Sequence, residues 1–320
     1  MIDTSFTRAF GLAHPIVSAP MARVAGGRLA AAVSAGGGLG LIGGGYCDAD
    51  WIETEMAEAG NTPVGMGFIT WKLDQAPGVL DRVLERRPRA VFLSFGDPVP
   101  YGERVRAAGA RLFCQVQTLD DARRAVDAGA DVIVAQGTEA GGHGARRATL
   151  TLVPEVADYL AVAAPGTHLL AAGGIVDGRG LAAALMLGAG GVLCGTRFWA
   201  CREALVPEGQ MRMALAADGD QTTRGKVIDA ARGLTDWPER FDLRTLRNPF
   251  VDAWSGRAEA LAADEKARAA WSEAAARGDP EMAPPIVGEG IGVIRDAPAA
   301  AEILAAMSGA AEQLLTGGWR

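Results

Sequence analysis

Apolar residues in this chain come in short runs, and between the runs lie stretches in which Ala, Leu and Val recur on one helical face while Arg, Asp and Glu occupy the other. Short apolar runs bounded by Gly, Pro or Asp read as buried strands, and the amphipathic stretches as helices. The strands so predicted are 16–19, 38–42, 64–69, 90–95, 111–116, 131–135, 168–172 and 191–194. The helices are 28–35, 49–59, 77–86, 101–108, 119–128, 151–163 and 179–187. The two alternate every 20 to 35 residues or so, roughly the spacing of βα units. Eight strands with helical crossovers predict closure into a (β/α)8 TIM barrel, an α/β fold, in preference to an open doubly wound sheet.

After Cys201 the rhythm changes. Residues 205–285 lose the strand runs and gain charge, three tryptophans (Trp237, Trp254, Trp271) and helical stretches such as 258–276, before Pro280, Pro284 and Pro285 close the segment. Residues 299–315 are again an Ala- and Leu-rich amphipathic helix, suited to packing on the barrel as its last helix. The predicted organisation is a barrel of residues 1–204 and 286–320 with a smaller helical insertion, 205–285, over its mouth. A separate C-terminal domain is the competing arrangement.

Composition narrows the partners. With 320 residues, 49% of them apolar, the chain can bury one large core. A formal net charge of −7 argues against a nucleic-acid footprint, which needs clustered basic residues. Cys47, Cys114, Cys194 and Cys201 lie far apart without CxxC spacing and read as buried, reduced thiols. Neither an export signal nor an apolar window of membrane-spanning length is visible. The expectation is a cytoplasmic protein without a membrane or nucleic-acid partner.

Candidate chemistry concentrates at strand ends. The segment 135–144, AQGTEAGGHG, follows the apolar strand 131–135 and carries Gln136, Glu139 and His143 among Gly137, Gly141, Gly142 and Gly144. The C-terminal ends of barrel strands are where catalytic groups gather. Of the three histidines, His14 precedes a proline in a turn and His168 begins a strand, so both read as structural, whereas His143 is placed for chemistry. Glu139 and His143 lack a third ligand and a helix to align them, so no metal is predicted. The string GLGLIG at 38–43 matches a dinucleotide fingerprint formally, but here the helix precedes the glycines, which surround the strand itself. Better placed are Ala172-Gly173-Gly174 and Cys194-Gly195-Thr196, which end consecutive strands and read as a phosphate cradle. Ala19-Pro20-Met21-Ala22 ends the first strand and could back a ligand ring. Gln115 and Gln136, in otherwise apolar strands, need a partner, either a heteroaromatic ring edge or a bound water.

Taken together, PIVSAPMA (15–22), GGGLGLIGGG (36–45), QVQT (115–118), AQGTEAGGHG (135–144), AAGGIVDGRGLAAALMLGA (171–189), CGTRF (194–198), NPF (248–250) and GEGIGVI (288–294) resemble the nitronate monooxygenase family, once called 2-nitropropane dioxygenases. The resemblance covers most of the chain and implies an FMN-dependent barrel. It implies that Ala19, Pro20, Met21 and Ala22 back the isoalloxazine, that Gln115 and Gln136 meet the ring edge and ribityl chain, and that Ala172, Gly173, Gly174, Gly195 and Thr196 hold the phosphate. Gly142 would line the same cofactor site, and His143 matches the active-site histidine. One departure stands out: Gly67 occupies the position where many relatives carry an asparagine beside the flavin.

The implied reaction is oxidation of alkyl nitronates, and of neutral nitroalkanes, with O2 as acceptor, to a carbonyl compound and nitrite. His143 would act either as a base toward the neutral substrate or as a cation holding the anionic one. An NAD(P)H-dependent flavin reductase of quinones or enoyl thioesters is the alternative on the same fold, and a flavin-storage protein a more distant one. The sequence leaves the assembly open, with a homodimer as one candidate.

Overall fold

The computed structural model describes residues 2–317. Its strands are β1 (Ile16–Ser18), β2 (Leu41–Gly45), β3 (Gly65–Ile69), β4 (Ala90–Ser94), β5 (Arg111–Val116), β6 (Val132–Gln136), β7 (Gly142–Gly144), β8 (His168–Ala172), β9 (Gly191–Cys194), β10 (Thr222–Gly225) and β11 (Asp242–Leu246). Eight of them form one parallel sheet in the order β1-β9-β8-β6-β5-β4-β3-β2. A parallel bridge between Val17 and Leu39, just before β2, closes the ring. The remaining β10, β11 and β7 make a separate antiparallel sheet.

Period-two alternation sorts the barrel's side chains. Val17, Phe92, Phe113, Val132, Val134, Leu170 and Leu193 share one buried cluster inside the ring, while Ile16, Val91, Leu112, Cys114, Ile133, Ala171 and Val192 pack outward in the cluster that includes the helices. The same parity, continued up each strand, turns Gly67, Gln115, Gln136 and Ala172 inward at the C-terminal ends. Below them, a short helix, Ser5–Phe10, plugs the opposite end with Phe6 and Phe10, whose rings lie 6.4 and 5.4 Å from that of Phe113. The apolar pattern does not announce this helix, although Thr4 and Thr7 form its reciprocal capping box.

The predicted helices are present with ends shifted by two residues or fewer, for example Ala49–Ala59 and Gly178–Met186. Residues 258–276 form two helices, because Asp264 interrupts the run and caps the second by accepting from Ala267 N at 2.9 Å. Strand β2 lies three residues beyond the predicted 38–42. Its glycines explain the shift, since a Cβ on Gly40 would stand 1.9 Å from Ala30 O and one on Gly43 2.3 Å from Met21 O. The glycine string is therefore a packing device, with neighbouring backbone pressed onto the strand.

Residues 205–285 are mainly helical and also carry β10 and β11. A buried cluster of their own, including Ile228, Leu243, Phe250, Leu261 and Trp271, holds them together. The closing helix, Ala300–Gly317, packs closely on Gly178–Met186: a Cβ on Gly178 would meet Ala310 and Ala311 at 2.5 and 2.7 Å. Among the described residues no helix is long and apolar enough to cross a membrane. All four cysteines are unpaired and buried.

Candidate active site

A cavity of about 440 Å³ opens where the C-terminal strand ends meet residues 205–286. All fourteen residues singled out in the sequence border it. Ala19, Pro20, Met21 and Ala22 follow β1 on one side, and Gly67, Gln115 and Gln136 face it from β3, β5 and β6. Ala172, Gly173, Gly174, Gly195 and Thr196 border it from β8 and β9, and Gly142 and His143 from β7.

The turns after β8 and β9 expose backbone donors. Gly173 and Gly174 have φ of +106° and +71°, which favours glycine at both positions. Among the described residues, the N–H groups of Gly174, Gly195 and Thr196 find no acceptor. Unsatisfied N–H groups gathered beside a cavity are what an anion needs. Thr196 Oγ1 accepts from Gly288 N at 2.9 Å and keeps its own proton to donate. Gly142 and Gly195 face space, with no atom nearer than 3.9 and 3.7 Å to a built Cβ, so their smallness leaves room for a ligand.

The two glutamines partner each other. Gln115 Nε2 donates to Gln136 Oε1 at 3.2 Å, Gln117 Nε2 donates to the same oxygen at 2.9 Å, and Gln136 Nε2 donates to His143 O at 3.2 Å. Gln117, 1% exposed, is a member the sequence reading passed over although it stands in the same QVQT. The network ties the barrel strands to the histidine's backbone.

His143 sits on a strand held from several sides. β7 pairs with β11, so that His143 lies opposite Leu243. Arg224 braces the preceding turn by donating to the carbonyls of Thr138, Ala140 and Gly144, and Arg244 donates to Thr138 O while pairing with Glu289 at 2.8 Å. Glu139 spends its carboxylate on Thr149, whose N and Oγ1 donate to it at 3.0 and 2.8 Å. The histidine-bearing segment is thus a fixed strand and braced turn.

The ring is equally constrained. His143 is 8% exposed, stacks on Trp237 with centroids 3.4 Å apart and planes at 11°, and meets the edge of Phe95 at 6.1 Å. Phe95 adopts φ of +64°, a rare backbone state for a large residue and one that concentrates at functional sites. His143 Nε2 lies 3.0 and 2.9 Å from the two oxygens of Asp229, which is itself 2% exposed. A carboxylate accepts and does not donate, so Nε2 carries the proton and Nδ1 is left as the basic nitrogen. Burial pushes the histidine's pKa below its ordinary value; Asp229 opposes that shift, and the charges of Arg232 and Arg224 add to it. His143 is therefore neutral near pH 7.

Asp229, Trp237, Arg232 and Tyr46 were not found from the sequence. Asp229 left one usable signal, an acid inside the apolar helix Val227–Arg232. His14 and His168 bond Ser308 and Ser5, away from this cavity, at 2.8 and 3.3 Å. Burial pushes the Cys47 thiol up to about 11 and those of Cys194 and Cys201 to about 12, so none of these is a thiolate near neutrality.

Gly67, where the family resemblance leads one to expect an asparagine, is closely packed. A Cβ there would stand 2.3 Å from Pro20 Cβ, so Pro20 occupies the space an asparagine would use. Gly67→Asn is expected to destabilise the fold by roughly 1–3 kcal/mol through overpacking, and to loosen any ligand resting on Pro20. A thermal melt and the flavin-to-protein ratio check this; an unchanged midpoint and ratio would show that Pro20 yields freely.

A parallel barrel with glycine turns, linked amides and a buried histidine at its strand tips fits a flavin-type oxidoreductase, and similarity to known proteins places the chain in that class. The sequence profile of the nitronate monooxygenase family matches residues 4–65 and 69–309, and the chain belongs to that family. It is 37% identical to nitronate monooxygenase npaC of Metarhizium robertsii, over 94% of this chain and 92% of that one. Among solved structures it is similar to FabK from Thermotoga maritima (TM-score 0.84, 28% identity, 99% and 98% covered). It is also similar to nitroalkane oxidase from Streptomyces ansochromogenes (TM-score 0.81, 26% identity, 98% and 99% covered).

Proposed function

We propose that this protein oxidises alkyl nitronates, and neutral nitroalkanes after removing their α-proton, using FMN and O2. The observation that carries the reading is His143, neutral and oriented by Asp229 and Trp237, on the wall of the cavity that the glycine turns of β8 and β9 also border. The residues present fit FMN: Gly173, Gly174, Gly195 and Thr196 would hold its phosphate, with Ala172 beside them. Ala19, Pro20, Met21 and Ala22 would back the ring, Gln115 and Gln136 meet its edge, and Gly67 and Gly142 leave it room. Bound FMN would supply the two-electron chemistry, with O2 as final acceptor and a carbonyl compound plus nitrite as products.

The chain's own contribution is positional and protolytic. Nδ1 of His143 would take the α-proton of a neutral nitroalkane, while Asp229 fixes the tautomer and stabilises the resulting imidazolium. Residues 205–285, in this reading, form a cap that excludes water from the developing carbanion. Similarity to a nitroalkane oxidase supports the same chemistry.

The test is an anaerobic spectrum of the purified protein mixed separately with propyl-2-nitronate and with NADH. Bleaching of the flavin by the nitronate is expected. Rapid bleaching by NADH alone would favour an NAD(P)H-dependent reductase of quinones or enoyl thioesters, and no response to either would leave flavin storage.

The dyad gives its own prediction. Asp229→Asn removes the group that raises the His143 pKa and lets the amide donate to Nε2, moving the ring proton to Nδ1. Turnover of neutral nitroalkanes is expected to fall by roughly two to four orders of magnitude, while preformed nitronates retain most of their rate. Equal losses on both substrate forms, in steady-state assays, would contradict this role for Asp229.

A further inference from the structure

Removing a proton from a nitroalkane creates a charge that something must receive. The C–H electron pair moves into the new C=N bond, one N=O pair moves onto oxygen, and the proton goes to Nδ1 of His143, so an imidazolium and an oxygen-centred anion appear together. Asp229 answers the first charge. Gln115 and Gln136, the nearby amides, are engaged with each other and with the His143 carbonyl.

Besides the donors of the glycine turns and the unpartnered indole N–H of Trp271, the cavity wall carries an uncommitted guanidinium and an uncommitted phenol. Arg232 ends the helix Val227–Arg232, is exposed and borders the cavity, and its guanidinium makes no hydrogen bond or ion pair among the described residues. The cavity's other arginine, Arg23, is paired with Asp48. Tyr46 borders the cavity from the end of β2, where its oxygen accepts from Trp237 Nε1 at 3.3 Å and its own proton finds no acceptor among the described residues. Burial raises the Tyr46 pKa and lowers that of His143, and the charge of Arg232 is near enough to act on both, opposing the first shift and adding to the second. The phenol meets Trp237, the stacking partner of His143, and the guanidinium borders the same cavity.

We propose that Arg232 and Tyr46 are the oxyanion-binding residues of the substrate site, donating to the two oxygens of the nitro or nitronate group. The inference rests on the nitronate reading above and assigns it a polarity. The apolar side chains of Ile228, Leu243 and Ile286 border the rest of the cavity and would take the alkyl chain.

Charge present in the ground state affects binding, and charge that develops later affects rate. In Arg232→Met, KM for propyl-2-nitronate, already an anion, should rise about tenfold or more. For neutral 2-nitropropane the loss should fall mainly on kcat, with KM changed little. Arg232→Lys should restore part of both, and Tyr46→Phe should shift both in the same direction by less.

Nitrate, a planar oxyanion, supplies a readout independent of turnover: titrated into the protein and followed by tryptophan fluorescence, it should bind the wild type and bind Arg232→Met at least tenfold more weakly. Wild-type nitrate affinity and wild-type KM in both Arg232→Met and Tyr46→Phe would overturn the proposal and leave Arg232 a solvated surface residue. Should the wild type turn over neither nitro compound, the nitronate reading falls, and the nitrate titration still decides whether these two residues bind an oxyanion.

Discussion

His143→Ala is expected to lower turnover of a neutral nitroalkane by roughly two to four orders of magnitude, the usual cost of losing a positioned general base, and to leave most of the activity on the preformed nitronate. The nitronate has already lost its α-proton, so it has no use for Nδ1. The wild-type pH profile should agree. Burial, then Arg232 and Arg224, outweigh Asp229 and hold the His143 pKa below 6.5. Activity on the neutral substrate should therefore rise with pH through a value below 6.5 and be flat above it, because the deprotonated ring is the active form. A histidine acting as a cation would give the reverse, a decline over the same range with nitronate turnover falling most. The variant should also melt earlier, since Asp229 loses its buried donor, at a cost of roughly 1.5–3 kcal/mol for a hydrogen bond to a charged group. Its flavin complement should be retained. Wild-type rates on both substrate forms would reduce His143 to a structural residue.

Gly195→Asp is expected to abolish FMN retention in a protein that still folds. The substitution is chosen on geometry: Gly195 has φ of −90°, and a Cβ there would meet nothing nearer than Ala19 at 3.7 Å, so the side chain is tolerated locally. Its carboxylate would then stand where an FMN phosphate is proposed to sit. Two like charges about 4 Å apart at an effective dielectric of ~20 repel by about 4 kcal/mol, roughly three orders of magnitude in Kd. Flavin-to-protein ratios and titration of the apoprotein measure the loss, with circular dichroism and thermal melting as the check on folding. Normal occupancy would place the phosphate elsewhere. Gly173→Asp would be a poorer test, because φ of +106° and a Cβ 2.7 Å from Thr149 Oγ1 would strain the backbone whether or not a cofactor binds.

The barrel was legible because most of its strands are apolar runs long enough to bury themselves, and the crossover helices keep an Ala- or Leu-rich face. Strand β2 was displaced by three residues in the reading because Gly43, Gly44 and Gly45 carry no pattern of their own; only the backbone pressed on them explains their place in the sheet. The cap sheet was illegible for a related reason. Gly142-His143-Gly144 and Thr222-Thr223-Arg224-Gly225 have neither alternation nor β-branched runs sufficient to predict strands, and each pairs with β11, which is distant from Gly142-His143-Gly144 along the chain.

The candidate site divides in the same way. Residues that act through local backbone, such as Gly173, Gly174 and Gly195, were visible as turns after strands. His143 was visible because glycines surround it. Asp229 and Trp237 meet it from 86 and 94 positions along the chain, and no local pattern encodes a contact across such separations.

The histidine's strand has its hydrogen-bonding partner in β11, within the segment proposed to cap the barrel mouth, and its carboxylate and stacking partners come from that segment too. The proposed base is therefore a composite, half of it rooted in the barrel and half in the proposed cover. Lifting the cover far enough to admit bulk water would unzip β7 from β11, unstack the imidazole and remove its orienting acid in a single motion. In the proposed reaction, proton abstraction would thereby be interlocked with enclosure: a carbanion would form only in the state that shields it from reprotonation by solvent, and an open molecule would be disarmed without any separate switch.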